Sequence, residues 1–142
     1  MHYLIKYLDK LFKMQEEKGW KYLYFMVDVH NTIIRPTYNK SLNFEYYPYA
    51  REVLHLLSFR QEIKLIMWTS TYPDVIEKYE DKFWIYDMQF DYINENPDIK
   101  NDEIRCFDKK FYYDIGIDDK FGFDPETDWK FIYDYLTEKG WW

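Results

Sequence analysis

Residues 22–28 read YLYFMVD, an apolar run that continues from Tyr22 to Val27 and ends abruptly at Asp28. A run of strand length without polar alternation is typical of a β-strand that is buried on both faces. Further strands of this kind are predicted at Ile63–Trp68, Phe90–Ile93 and Ile115–Ile117. The stretch at 22–28 therefore predicts the first strand of a buried, mostly parallel sheet.

Helical signals fill the intervals around these strands. Apolar residues recur at helical spacing in the first part of the chain, where Gly19 can close a helix. Pro48 and Pro73 stand where first-turn prolines would, and Asp128 is a good cap for a last helix that Gly140 ends. Apolar strands separated by helices predict an α/β fold whose parallel sheet is covered on both faces.

Size and composition limit the class of protein. The chain has 142 residues, 47% hydrophobic and 32% charged, which predicts one globular domain over residues 1–142. The net charge of -7 argues against non-specific adhesion to nucleic acid as its main role. No stretch has the length of a membrane span, and the single cysteine, Cys106, cannot form an internal disulfide. These features predict a cytoplasmic protein with no membrane partner.

Polar side chains follow three of the predicted strands. Asp28 ends the first and is followed by His30 and Thr32; Thr69 and Ser70 follow the second; Asp118 and Asp119 follow the last. Because the carboxyl ends of parallel strands lie at one edge of a sheet, these groups are expected to converge there. A carboxylate at such a position can attack phosphorus, and Mg²⁺, which prefers oxygen ligands, would offset its repulsion from a phosphate.

Three segments resemble the conserved motifs of the haloacid dehalogenase superfamily. FMVDVHNTI (25–33) is similar to its first motif, a strand followed by Asp-x-Asp-x-Thr. KLIMWTS (64–70) resembles the second motif, and KKFYYDIGIDD (109–119) resembles the third and fourth together. The resemblance implies a Rossmann-like three-layer sandwich with a central, mostly parallel sheet, and it implies a phosphatase that uses Mg²⁺.

The resemblance also implies roles for single residues. Asp28 would be the nucleophile and a metal ligand, and Thr69, with Ser70 beside it, would bind the phosphate. Lys110 would stabilise the transferred charge, although the adjacent Lys109 is an alternative. Of the paired aspartates, Asp119 would contact Mg²⁺ directly, while Asp118 would act through water or orient the lysine.

The intervals between the motifs hold no large cap domain. Residues 33–47 predict only a hairpin or flap, with turn chemistry at Pro36 and Asn39. By resemblance, capless members act on bulky phosphorylated substrates such as phosphoproteins or nucleic-acid ends, or use oligomerisation as a lid. The sequence leaves the substrate and the oligomeric state open.

His30 departs from the family pattern, which has a second aspartate at that position as general acid and base. The His30 carbonyl can still bind the metal, and its imidazole can transfer protons near neutral pH. The alternative is a regulatory or phosphate-binding module in which His30 has weakened turnover. A third hypothesis is an aromatic-rich interaction domain with accidental motif matches, since 23% of the residues are aromatic.

Overall fold

The computed structural model describes residues 2–35 and 44–141. In chain order the elements are α1 (Tyr3–Lys18), β1 (Leu23–Asp28), α2 (Ala50–Ser58), β2 (Ile63–Trp68), α3 (Pro73–Ile85), β3 (Tyr92–Ile93), β4 (Ile115–Ile117) and α4 (Asp128–Glu138). A short 3-10 turn, Asp119–Phe121, lies between β4 and α4. Each helix and strand expected from the sequence is therefore found, with changes at several ends.

The strands form one parallel sheet in the order β3-β2-β1-β4. The chain moves outward from β1 to β2 and β3, then returns to place β4 on the other side of β1. The strand order therefore reverses at β1, and open parallel sheets bind ligands at the carboxyl end of the strands at such a point. Asp28, the last residue of β1, lies there.

One face of the sheet packs on the helices. Side chains alternate between the two faces of a strand. Leu23, Phe25 and Val27 of β1 share the main core cluster with buried residues of α1, α2, α3 and α4. Leu54 of α2 and Trp129 of α4 are both fully buried in it. Burial of each side chain of this size contributes about 1.5–3 kcal/mol, so this layer holds the sheet in place.

The opposite face carries Tyr24 and Met26 and is covered by residues 94–114. Tyr24 donates a hydrogen bond to Asp98 over 3.1 Å, and its ring meets the Tyr112 ring edge-on at 6.1 Å. All of residues 94–114 are described, and they contain neither a helix nor a strand. The predicted α/β, Rossmann-like fold with a covered parallel sheet is confirmed, and an irregular segment supplies cover on this side.

The predicted hairpin is seen at its base. Ile34 pairs with Tyr46 in an antiparallel bridge, and the Arg35 amide donates to the Glu45 carbonyl over 2.9 Å. Pro36 and Asn39, on which the turn was predicted, lie outside the described residues.

Three details differ from the sequence prediction. Pro48 does not lie in the first turn of α2, because that helix begins at Ala50 with Tyr49 at its N-cap position. The strand predicted at Phe90–Ile93 is limited to Tyr92–Ile93, because the Asp91 side chain takes the hydrogen bond of the Leu65 amide, over 2.8 Å. The N-cap position of the last helix is Thr127, which makes no side-chain capping bond; Asp128 is the first helical residue, and its carboxylate accepts from the Asp124 amide. Among the helices of the described part, none is both long enough and apolar enough to cross a bilayer.

Candidate functional site

Three carboxylates meet at the carboxyl end of β1. Asp28 ends that strand, and Asp118 and Asp119 directly follow the neighbouring β4. Each offers an oxygen within 4.8 Å of the oxygens offered by the other two. Asp118 is buried, and the other two are partly buried. The structure therefore brings together the three predicted metal-ligating aspartates.

Thr32 lies between two of these aspartates and is fully buried. Its hydroxyl donates to Asp28 Oδ2 over 3.2 Å and accepts from the Asp119 amide at the same distance. The Trp129 indole of α4 donates to the Thr32 carbonyl over 2.7 Å. Thr32 thus joins β1 to the turn after β4, and α4 holds Thr32 in place.

The backbone after β1 folds back sharply to position Thr32. The Val29 carbonyl accepts hydrogen bonds from the amides of residues 32, 33 and 34. Asn31 has a positive φ of 64°, which asparagine tolerates better than most residues. In the described part of the chain, no backbone amide donates to the His30 carbonyl. Among the described residues, that carbonyl oxygen thus has no backbone donor that a metal ion would have to replace.

The carboxylate cluster is electrostatically unfavourable by itself. Burial, followed by the charge of Asp118, raises the pKa of Asp28 to about 7. Burial is also the main reason that the pKa of Asp118 is raised. A divalent cation would relieve this repulsion, and an all-oxygen donor set suits a hard cation. The residues present thus fit a metal ion of that class.

His30 makes its side-chain contact away from the aspartates. Its Nε2 lies 2.6 Å from the hydroxyl of Tyr79, a fully buried residue of α3. The two rings meet edge-on, with centroids 5.5 Å apart. Burial lowers the pKa of the His30 imidazole. Since Tyr79 occupies Nε2, Nδ1 is the ring nitrogen left for other chemistry.

Thr69 and Ser70 follow β2, the strand that pairs with β1. The Asn94 side chain clamps the Thr69 backbone through two hydrogen bonds of 2.8 Å, one to its amide and one to its carbonyl. The Thr69 hydroxyl is hydrogen-bonded to the hydroxyl of Thr71. Ser70 is exposed. Asn94, which directly follows β3, therefore holds the loop after β2 in place.

Lys109 and Lys110 line a cavity of about 460 Å³, together with Trp68 and Asn94. Both lysines are exposed, and neither makes an ion pair to a carboxylate within residues 2–35 and 44–141. Both lysines thus line the same cavity as Trp68, the last residue of β2. Within the described residues, neither forms an ion pair with the aspartates of the cluster.

Two residues of this site were not assigned a role from the sequence. Thr32 is expected at this edge of the sheet with the other polar residues after β1, but the sequence predicts no separate role for it. Asn94 directly follows β3, so the strand-end argument that identified Asp28 and Thr69 applies to it equally. The contact of Tyr79 with His30 had no sequence signal, since it depends on how α3 packs.

Comparison with protein families and with curated proteins gives no match to this sequence. A solved structure of a conserved protein from Bacteroides thetaiotaomicron is similar, with 26% sequence identity and a TM-score of 0.62. The match covers 83% of this chain and 92% of that chain. The likeness supports the α/β fold described above, and the description of that protein names no activity.

Proposed function

We propose that this protein is a Mg²⁺-dependent phosphohydrolase that transfers the phosphoryl group of a phosphomonoester to Asp28. The observation that carries the proposal is the meeting of Asp28, Asp118 and Asp119 within 4.8 Å where the strand order reverses. The resemblance of the three motif segments to the haloacid dehalogenase superfamily supports the same function.

The metal would be held by Asp28, Asp119 and the His30 carbonyl, with Asp118 beside them. When bound, Mg²⁺ would neutralise the carboxylates and the phosphoryl oxygens, so that a negatively charged nucleophile can approach a negatively charged substrate. The raised pKa of Asp28, due to burial and to Asp118, supports a need for such a charge.

Asp28 provides the nucleophile in this mechanism. Thr32 donates to Oδ2 of Asp28, which orients the carboxylate and leaves Oδ1 to attack phosphorus. An acyl-phosphate forms on Asp28 as the bond from phosphorus to the leaving oxygen breaks, and that oxygen takes a proton from His30 or from water to become a hydroxyl. Water then attacks the phosphorus, which releases inorganic phosphate and restores the carboxylate.

Phosphate oxygens would be held on the other side by the loop after β2. The Thr69 hydroxyl and the Ser70 hydroxyl and amide are donors there, and Asn94 fixes the Thr69 backbone. Lys110, or Lys109, would reach the transferred group from the cavity wall and stabilise the charge on it.

A slow phosphatase, or a phosphate-binding module without efficient turnover, is the second candidate. The contact between His30 Nε2 and Tyr79 favours it, because one ring nitrogen is already engaged. The lowered pKa of His30, caused by burial, keeps the imidazole neutral at pH 7 and so makes it a weak acid for the leaving group. A poorly placed acid and base typically costs about 10²–10⁴-fold in rate.

The test is hydrolysis of an aryl phosphate and a panel of phosphorylated metabolites, with Mg²⁺ or EDTA. Wild type, Asp28→Asn and His30→Asp are compared, with Asp81→Asn, an exposed site on α3, as the matched control. Metal-dependent turnover that is lost only in Asp28→Asn supports the phosphohydrolase. Activity found in His30→Asp alone supports the module, and turnover that Asp28→Asn retains refutes both.

A further inference from the structure

A cleft of about 460 Å³ opens beside the candidate site. We call it the Trp68 cleft; its walls include three lysines and three aromatic residues: Lys100, Lys109, Lys110, Trp68, Phe107 and Phe111. Its volume lies in the range of sites that bind small molecules and cofactors. Any ligand assigned to this cleft rests on the proposed function, because the cleft would hold the part of the substrate that does not react.

The Trp68 cleft begins one strand away from the proposed nucleophile. Trp68 is the register partner of Asp28 in the pairing of β1 with β2. Paired residues of neighbouring parallel strands point to the same face of a sheet, and such strands lie about 4.8 Å apart. A phosphate at Asp28 would therefore place its ester group within reach of the Trp68 ring.

The aromatic wall has an exposed ring available for stacking. Trp68 is 43% exposed although it ends a buried strand. Phe111 contacts it, with the two ring centroids 5.6 Å apart and the rings tilted by 56°. Flat aromatic ligands stack on tryptophan faces with little dependence on their substituents. The cleft thus offers a platform for a planar ring.

The lining of the cleft carries a small excess of positive charge. Lys100, Lys109 and Lys110 are exposed and make no salt bridge in the part of the chain that the structure describes. Two carboxylates also line the cleft, Glu95 and Asp108, and the second accepts a hydrogen bond from Asn101. The lysines outnumber the acids here in a chain of net charge -7. A local excess of lysine favours an anionic ligand.

We infer that the Trp68 cleft binds the nucleoside part of a nucleotide, whose phosphate is presented to Asp28. The planar ring of a nucleotide matches the platform, and its sugar matches the distance across one strand. Its phosphate at Asp28 would be the anion that Lys109 or Lys110 reaches from the cleft wall. A phenyl ring bonded directly to phosphate would leave most of the cleft empty. The nucleotide class is therefore favoured over simple aryl phosphates.

The experiment measures binding to Asp28→Asn protein in the presence of Mg²⁺, so that no ligand is consumed. The ligands are adenosine 5′-monophosphate, ribose 5-phosphate and phosphotyrosine, titrated by calorimetry. Adenosine monophosphate is expected to bind about 10- to 100-fold more tightly than ribose 5-phosphate, which lacks the ring. Adding Trp68→Leu should abolish this preference, and Trp68→Phe should retain most of it.

Trp84→Leu is the matched control, because Trp84 is an exposed tryptophan of α3 outside the cleft. Three results overturn the inference: equal affinities for the first two ligands, a preference that survives Trp68→Leu, or phosphotyrosine binding as tightly as the nucleotide.

Hydrolysis assays on the wild type separate the two proposals. Mg²⁺-dependent hydrolysis without any nucleotide preference removes the cleft assignment alone, whereas nucleotide binding without hydrolysis of any ester removes the phosphohydrolase alone.

Discussion

Asp28 combines a chemical role with a cost to the folded state. In the unfolded chain its pKa is the ordinary 3.8, whereas burial and the charge of Asp118 raise it to about 7 in the fold. The folded state therefore holds a proton that the unfolded state has released between these two pH values. Stability from this group is present at low pH and is lost as pH rises from about 4 to 7.

Asp28→Asn is accordingly expected to stabilise the metal-free protein above pH 7. The amide removes the buried charge, and the expected gain is about 1–2 kcal/mol after a discount for solvent screening of this partly exposed group. Urea unfolding in EDTA at pH 8 and at pH 4 measures it, and the gain should be small at pH 4. An equal gain at both pH values, or one that Asp81→Asn reproduces, would show that the carboxylate cluster is not its source.

At the scale of single residues, the sequence predicts which polar groups follow the strands. It does not predict the side-chain contacts that orient these groups. Asp28, Asp118 and Asp119 were predicted to converge because parallel strands share one carboxyl edge. The clamp of Asn94 on Thr69 and the contact of Tyr79 with His30 join residues 25 and 49 positions apart. Such contacts depend on the packing of β3 and α3, which no local pattern encodes.

At the scale of secondary-structure elements, two aspartates explain why the edge strands β3 and β4 are short. The carboxylate of Asp114 accepts from the Tyr24 amide over 2.7 Å, and that of Asp91 accepts from the Leu65 amide over 2.8 Å. Each side chain meets an amide of an inner strand just before β4 or β3 begins. Apolar content alone predicted a longer β3. It does not reveal that the Asp91 side chain accepts the hydrogen bond of the Leu65 amide in place of a backbone carbonyl.

α4 contacts the site through one buried hydrogen bond, from the Trp129 indole to the Thr32 carbonyl. Trp129→Phe keeps most of the packing but removes the indole donor from the Thr32 carbonyl. An unsatisfied buried acceptor costs about 1–3 kcal/mol, so a loss of that size is expected in urea unfolding, together with weaker Mg²⁺ binding. Phe131→Leu, at a 44% exposed position of the same helix, is the control. A Trp129→Phe protein as stable as the control would remove this role for α4.

At the scale of the whole molecule, folding and metal binding should be coupled. The carboxylates belong to β1 and to the turn after β4, so a bound cation would join two parts of the chain 90 residues apart. A ligand present at 100 times its Kd stabilises the folded state by about 2.7 kcal/mol. Thermal unfolding with increasing Mg²⁺ should show a rising Tm in wild type and little rise in Asp119→Asn. Equal shifts in both proteins would place the metal elsewhere.

The architecture itself was the most predictable level. Apolar runs, turn residues and helix caps predicted an α/β fold with a covered parallel sheet, since each pattern follows from burial and backbone geometry. The irregular cover formed by residues 94–114 was not predicted, because it is held by ring contacts such as that of Tyr24 with Tyr112. The third hypothesis, accidental motif matches, depends on whether Asp28, Thr69 and Asp119 meet in space. Asp28 and Asp119 lie together, whereas within the described residues the hydrogen bonds of Thr69 go to Asn94 and Thr71.

The most direct test of the central claim is transfer of label to Asp28. Wild-type protein is incubated with ³²P-labelled acetyl phosphate and Mg²⁺, quenched in acid and digested, and the labelled peptide is sequenced. We expect a hydroxylamine-labile label on the peptide that contains Asp28, absent with EDTA and absent in Asp28→Asn. Label on any other residue, or metal-dependent release of phosphate that Asp28→Asn sustains at the wild-type rate, would contradict it.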